Sequence, residues 1–374
     1  MPERCVMTSD AAKLTLIFLL YNAEEQVDAL VDAALRQRHP GYSEQLEWLD
    51  VVFMDDCSGD GTLPRLHAAL QAAGAPCNYR IIPNERNLGL SSTLNKVFNL
   101  IRTPYGLTCH LDVLFGRDDY AARMLLLMEA HPKAGAITGQ PAIPAAAKIS
   151  TAEKLNMICN LMDILPSQSE EALVPVGFAE GRCDIFRVEA VRKAGLWDTT
   201  LRSSGEDQIL ALRMRQNGYE IYQAPHLPYH LSVSGEQNSI WKLLKHTHLF
   251  GRTQPYILLS DRTALASSAG RSSGSNRQSR LILRASHLAG TVALLILIAG
   301  AFMGVPVWLW CFPLFAVALL KAFLFRRHLN AVPLKGTEVL FFLAFVPLQD
   351  VYYTAGLLQG LWSYARGSSG RIIR

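Results

Sequence analysis

Two apolar runs near the C-terminus, Ala285 to Met303 and Pro306 to Phe325, are each near the roughly 20 residues that a membrane-spanning helix requires. Neither shows a polar face at helical spacing, as a helix packed on the outside of a soluble core would. A third run, Val339 to Trp362, is long enough but carries Asp350 near its middle. Asp350 at mid-bilayer would cost about 3 kcal/mol on insertion scales unless it faces a neighbour or water. These runs predict a membrane domain over residues 285–374. The segment before them, residues 261–284, is rich in Ser, Gly and Arg without an apolar period and reads as a basic linker. Arg271, Arg277, Arg280 and Arg284 precede the first run, and Arg326, Arg327 and Lys335 follow the second. Basic residues favour the cytoplasmic side, so the preceding domain is expected to face the cytoplasm, in bacteria at the inner membrane.

Residues 1–260 read differently. Short apolar runs alternate with amphipathic segments: LTLIFLL, a helical pattern from Glu24 to Arg38, WLDVVFMD, a helix near Leu63 to Ala73, YRIIP, a helix near Ser91 to Arg102, then GLTCHLD. Leu14 to Tyr21 could pass for a signal-peptide centre, but it has little positive charge ahead of it and no small-residue cleavage pattern, so a buried first strand is expected. The alternation predicts an α/β fold, a Rossmann-like and mostly parallel sheet with helices on both faces, followed by transmembrane helices. A net charge of +4 gives no argument for nucleic acid as a partner. Seven cysteines without a CxxC pair suggest free thiols in a reducing compartment.

In such sheets ligands sit beyond the carboxyl ends of the strands. Asn22 and Glu24 follow the first strand, and Asp55 and Asp56 end the second in VVFMDDCSGDGT. Adjacent carboxylates repel unless a hydrogen donor lies between them, and a nucleobase N–H or ribose hydroxyls would serve. An ordinary helix start capped by Ser58 or Asp60 explains the same residues. No GxGxxG and no GxxxxGK[ST] motif accounts for the site. His246 and His248 lie in WKLLKHTHLFGR, whose basic helical pattern suits a membrane surface better than a metal.

Together LLYNAEEQVDAL, VVFMDDCSGDGT, NERNLGLSSTLNK, GRCDIFRVEAVRKAGLWD and GEDQILALRMRQNGY resemble, in order, the signatures of the inverting family-two glycosyltransferases. The resemblance spans Leu14 to Pro225 and implies the type-A nucleotide-diphospho-sugar transferase fold. It also implies a nucleotide-diphosphate-sugar donor, with uridine diphosphate the favoured nucleotide. The family's Asp-any-Asp, which holds a divalent cation (Mn or Mg) against the donor diphosphate, places His110 at the first acidic position and Asp112 at the last. A register shifted by two would make Leu114 the last and leave nothing to bind metal. Imidazole can bind Mn²⁺ but suits Mg²⁺ poorly; a strand-end Asp without metal is the other reading.

The acidic pair Glu206-Asp207 matches the acceptor-side motif, with Asp207 as general base and Glu206 positioning it; stabilisation of a helix dipole is the alternative. Asn87, with Arg86 and Gly89, would border the nucleotide phosphates; a solvated loop is the other reading. Gly181, Arg182 and Trp197 fall in the stretches that line the sugar and acceptor. No Gln/Arg-any-any-Arg-Trp run occurs between Tyr219 and Arg284, which favours a single addition over processive synthesis. The C-terminal FVPLQDVYYTAGLLQGLW resembles membrane segments of exopolysaccharide-assembly transferases, implying a lipid-linked or saccharide acceptor at the membrane. A processive synthase and a catalytically silent nucleotide-sugar-binding membrane protein remain the alternatives.

Overall fold

In the computed structural model the described residues are 12–74, 78–142, 150–159, 172–179, 181–201, 205–231, 239–260, 274–303 and 306–366. They fall into two compact units: residues 1–144 with 165–232, and 145–164 with 233–374.

The first unit is built on a nine-stranded sheet. Its strands are β1 (Leu14–Leu20), β2 (Leu49–Asp55), β3 (Asn78–Pro83), β4 (Tyr105–Cys109), β5 (Val113–Phe115), β6 (Ala134–Ala142), β7 (Val174–Pro175), β8 (Cys183–Arg187) and β9 (Glu220–Leu231). They lie in the order β3-β2-β1-β4-β8-β6-β9-β5, with β7 on β9. The first four pair in parallel. β8 then runs antiparallel to both β4 and β6, while β9 returns parallel to β6. The mostly parallel pattern therefore holds up to β4, beyond which the sheet is mixed. The reason is local: β8 is followed at once by a short helix rather than preceded by one, so no crossover constrains it to run parallel.

All seven positions of β1 and of β2 are buried, because helices cover both faces of the sheet. Alternation divides them. Leu14, Leu16, Phe18 and Leu20 meet α1 (Val27–Leu35), α2 (Thr62–Ala72) and α4 (Tyr120–Ala130). Ile17 and Leu19 face the other way, toward α3 (Leu90–Leu100), α6 (Val188–Lys193) and α7 (Glu206–Gln216).

The second unit contains α5 (Thr151–Cys159), α8 (Ile240–Ser260), α9 (Gly274–Phe302), α10 (Val307–Ala331) and α11 (Thr337–Ala365). Among the described residues, Ile282–Gly300 of α9 and all of α11 are long and apolar enough to cross a membrane, with mean hydropathy 1.9 and 1.3. The apolar run from Pro306 lies in α10, which also carries Lys321. Two boundaries differ from the sequence reading. Residues 274–284 of the expected linker belong to α9, and residues 261–273 lie outside the described residues. α8, read as the end of the N-terminal domain, packs instead within the second unit. It crosses α11 backbone to backbone: a Cβ on Gly251 would meet the Tyr353 carbonyl, and one on Gly356 or Gly360 would meet the carbonyl of His248 or Arg252. Helical geometry also puts His246 and His248 on different faces, which removes the HxH spacing as a metal signal.

Candidate active site

The four parallel strands end side by side, so the segments after β1, β2, β3 and β4 form a row along one sheet edge. β8 starts at that edge, because Cys183 pairs with Cys109. A short turn at Asn217–Tyr219 reverses the chain from α7 into β9, so the N-terminus of α7 points back to the same edge. Topology thus gathers Asn22, Asp56, His110, Arg182 and Glu206 from five separate parts of the chain.

The β1 and β2 ends are knitted together. The Asn22 side-chain oxygen accepts from Gly59 N–H (2.9 Å), and a Glu24 carboxylate oxygen accepts from Gly61 N–H (3.0 Å). Asp55 accepts from the amide and hydroxyl of Ser58. Asp56 accepts from the Asn84 side chain (2.8 Å) and from the amides of Leu88 (2.8 Å) and Gly89 (2.9 Å), and Lys96 donates to the Asn84 oxygen (2.8 Å). Both aspartates are buried, at 1% and 7% exposure. The donors that relieve this acidic pair are internal to the protein, so the carboxylates act first by shaping the loops. Asn22, Glu24 and Asn87 stay exposed at the rim.

β4 ends at Cys109, and His110 donates its amide to the Arg182 carbonyl at 2.8 Å, extending the β4–β8 ladder by one step. The Arg182 guanidinium lies 4.0 Å from the Asp112 carboxylate, with the two side chains 20% and 21% exposed. Burial pushes the His110 imidazole below its ordinary pKa, against the opposing pull of Asp112. Its Nε2 is buried without a hydrogen-bond partner among the described residues. An imidazole kept neutral with an unpaired nitrogen, two residues from a carboxylate, is a donor set that fits a cation such as Mn²⁺. Among the described residues no group of three or more His, Cys, Asp or Glu side chains forms a complete cage, so further ligands would come from substrate or water.

Gly205 adopts a left-handed conformation (φ 89°) just before Glu206 and Asp207 in the first turn of α7. The Glu206 carboxyl is held above its ordinary pKa by burial, and its Oε2 has no hydrogen-bond partner among the described residues. An Asp207 oxygen accepts from Gln208 N–H at 2.7 Å. The segment ahead of this turn is fastened to α3: Asn95 exchanges hydrogen bonds with the Trp197 backbone at 2.9 Å each, and Ser91 donates to Leu201 O at 3.2 Å. Ser203 and Ser204, just ahead of Gly205, lie outside the described residues.

Trp197 requires correction. Its ring is 3% exposed and packs against Phe98 (4.8 Å) and Phe186 (5.4 Å), so it braces the loop from below and offers no face to a sugar. Asn84, Lys96, Thr108 and Asp184 contribute to the site and escaped the motif reading. For Asp184 the signal was present: a carboxylate inside the otherwise apolar CDIF of β8.

Because its pKa is raised, Glu206 binds its proton more tightly folded than unfolded. Stability should therefore fall as pH rises from the ordinary carboxylate value to the raised one, and stay lower above it. Glu206→Gln should melt higher than wild type, with a gap that widens over that window. Parallel melting curves across pH would show that Glu206 is not buried as a charge.

Residues 15–195 match the family model described as Glycosyl transferase family 2. A poly-beta-1,6-N-acetyl-D-glucosamine synthase of Staphylococcus epidermidis is 22% identical over 233 residues, covering 61% of this chain and 52% of that protein. The chain thus spans about half the length of the curated relatives it matches. Among solved structures, mannosyltransferase PcManGT from Pyrobaculum calidifontis, in complex with GDP-Man and Mn2+, aligns with a TM-score of 0.58 at 17% identity, over 95% of this chain and 89% of that one. S. aureus TarS 1-349 aligns over 95% of this chain and 92% of that one, at 15% identity and a TM-score of 0.47. The row of polar strand ends thus lies within residues 15–195, the stretch that matches the Glycosyl transferase family 2 model, on a fold like that of the mannosyltransferase.

Proposed function

We propose that this enzyme moves one sugar, with inversion, from a nucleotide-diphosphate-sugar to a lipid-linked or membrane-bound acceptor at the cytoplasmic face of a membrane. The observation that carries the reading is the first turn of α7, which brings Glu206 and Asp207 to the sheet edge where β1, β2 and β4 end. Asp207 takes the proton of the acceptor hydroxyl as that oxygen attacks the anomeric carbon, and the bond to the nucleoside diphosphate breaks. Glu206 orients that carboxylate or the acceptor. Asn22, Glu24 and Asn87 border the nucleotide, with Asp55 and Asp56 holding their loops in shape. His110 and Asp112 would hold a divalent cation, which when bound supplies positive charge against the departing diphosphate. Arg182, beside Asp112, adds a fixed cation on the donor side.

A nucleotide-sugar donor is supported by the mannosyltransferase neighbour crystallised with GDP-Man and Mn2+. The two apolar helices and the synthase relative support a membrane setting. That relative's name also favours a second reading, processive synthesis of a polysaccharide. Product length separates the two: one added sugar per acceptor supports the first, and a ladder of products the second.

The test is a melting-temperature screen of the purified full chain against UDP- and GDP-sugars, with and without Mn²⁺, followed by transfer to polyprenyl-phosphate acceptors. Binding to the folded state alone raises the melting temperature by mass action. A chain that a nucleotide-sugar stabilises but that neither transfers nor hydrolyses it would leave the silent-protein alternative, and a chain that none stabilises would sink both readings. The metal assignment has its own check. His110→Asp should shift the preferred cation from Mn²⁺ toward Mg²⁺, and Asp112→Ala should abolish metal-dependent stabilisation by donor. Equal gains from Mg²⁺ in wild type and His110→Asp would place His110 outside the coordination shell.

A further inference from the structure

We infer that Asp184 is a positioning residue for the donor side of the site, acting through the Gly181–Arg182 turn. The inference rests on the proposed place of Arg182 beside the donor.

Asp184 sits in the middle of the sheet, paired with Thr108 on β4 and Thr138 on β6, and is fully buried at 0% exposure. By alternation it shares a sheet face with Phe186, on the side covered by α3, α6 and α7. An apolar residue would fill that position at no electrostatic cost, whereas a carboxylate there is costly unless its oxygens are satisfied. One of them is satisfied by the turn itself: Gly181 donates its N–H to Asp184 Oδ2. The Thr108 hydroxyl lies 3.0 Å from the Gly181 carbonyl and 3.2 Å from that of Asp184. The Arg182 carbonyl accepts from His110 N–H at 2.8 Å. Gly181 has φ 78°, a conformation that side-chain-bearing residues rarely adopt, so the turn requires both the glycine and something to hold it.

The turn is thus pinned at the 181 N–H, the 181 carbonyl and the 182 carbonyl. What it presents is the Arg182 guanidinium, 4.0 Å from Asp112. Removing the Asp184 carboxylate frees the Gly181 amide, and with it the direction in which Arg182 leaves the sheet.

The experiment is a double-mutant cycle on the full chain, read by calorimetric binding of UDP and GDP with Mn²⁺ and by melting temperature. Asp184→Ala should weaken diphosphate binding about tenfold, the scale of one buried amide left without its acceptor. Arg182→Ala should weaken it by at least as much, and the double variant should bind no worse than Arg182→Ala alone. Asp184→Asn, which keeps an oxygen for the Gly181 amide, should restore most of the binding. Additive losses would overturn the inference, as would an Asp184→Ala protein that binds like wild type. Should Asp184→Ala not fold, Thr108→Val tests the other side of the clamp without altering the buried charge: weakened binding at unchanged melting temperature supports the inference, and wild-type binding overturns it. Wild-type binding by Arg182→Ala would remove Arg182 from the donor side and the inference with it. Wild-type binding by Asp184→Ala beside impaired Arg182→Ala defeats the inference alone.

Discussion

Asp207→Asn should leave nucleotide-sugar binding intact and lower transfer by at least about two orders of magnitude, the usual contribution of a positioned general base. Asparagine keeps the size of the side chain and an oxygen for the Gln208 amide, so the first turn of α7 should stay in place. What it loses is the ability to take a proton. Steady-state kinetics should therefore show a large fall in kcat with little change in the KM for donor, since the donor does not depend on this carboxylate. Wild-type turnover in that variant would remove Asp207 from the mechanism. Glu206→Gln is the control: if Glu206 merely positions, its loss should be smaller and should affect acceptor KM as well.

The second large effect is expected in the helices of the second unit. Lys321 on α10 donates to the Asp350 carboxylate on α11, and His287 Nδ1 on α9 lies 2.7 Å from the same oxygen. The three side chains are at most 5% exposed. Thr291 and Thr354 meet at 2.9 Å beside them, and Gly290 leaves room for the carboxylate where any Cβ would clash. Three helices are therefore joined through one oxygen. Lys321→Met leaves the buried Asp350 carboxylate with His287 alone, and Asp350→Leu leaves the buried Lys321 ammonium without its acceptor; breaking a comparable buried pair costs about 3–5 kcal/mol. Each single variant should yield much less detergent-stable full-length protein. The double variant should recover it, because well-packed apolar pairs are tolerated where ion pairs were buried. Single variants that melt like wild type would show that the pair does not hold the helices. A double variant that folds but no longer transfers sugar would assign the pair a part in activity.

Asp350 shows where reading the chain from one end to the other stops. Its cost in an apolar run was legible, and so was the condition that it must face something polar. Its partners were not, because Lys321 and His287 lie 29 and 63 residues away and each looks like an ordinary interruption of its own helix.

The same division holds in the catalytic domain. β1 to β4 and the helices between them were legible because hydrophobic period and turn chemistry are local properties, and a parallel alternation forces the strand ends onto one edge. The direction of β8 and the mixed half of the sheet were not, since the pairing of a short strand is decided by which edge is free when it arrives. Motif order pointed to His110, Asp112, Glu206 and Asp207, whose chemistry is carried by residue type. It misjudged Trp197, whose residue type suits a sugar platform but whose ring is enclosed by Phe98 and Phe186. It left open whether a nucleotide or an ordinary helix start accounts for Asp55 and Asp56, and could not see that loop amides and Asn84 donate to Asp56.

The fold class and the apolar helices were legible in hydrophobic spacing along the chain, and the family signatures in a resemblance carried by their residues. Which polar groups are satisfied internally, and which are left facing the site, emerges from the folded chain alone. Hydrogen-bond satisfaction depends on distances of about 3 Å between residues far apart in sequence, and no periodicity encodes them.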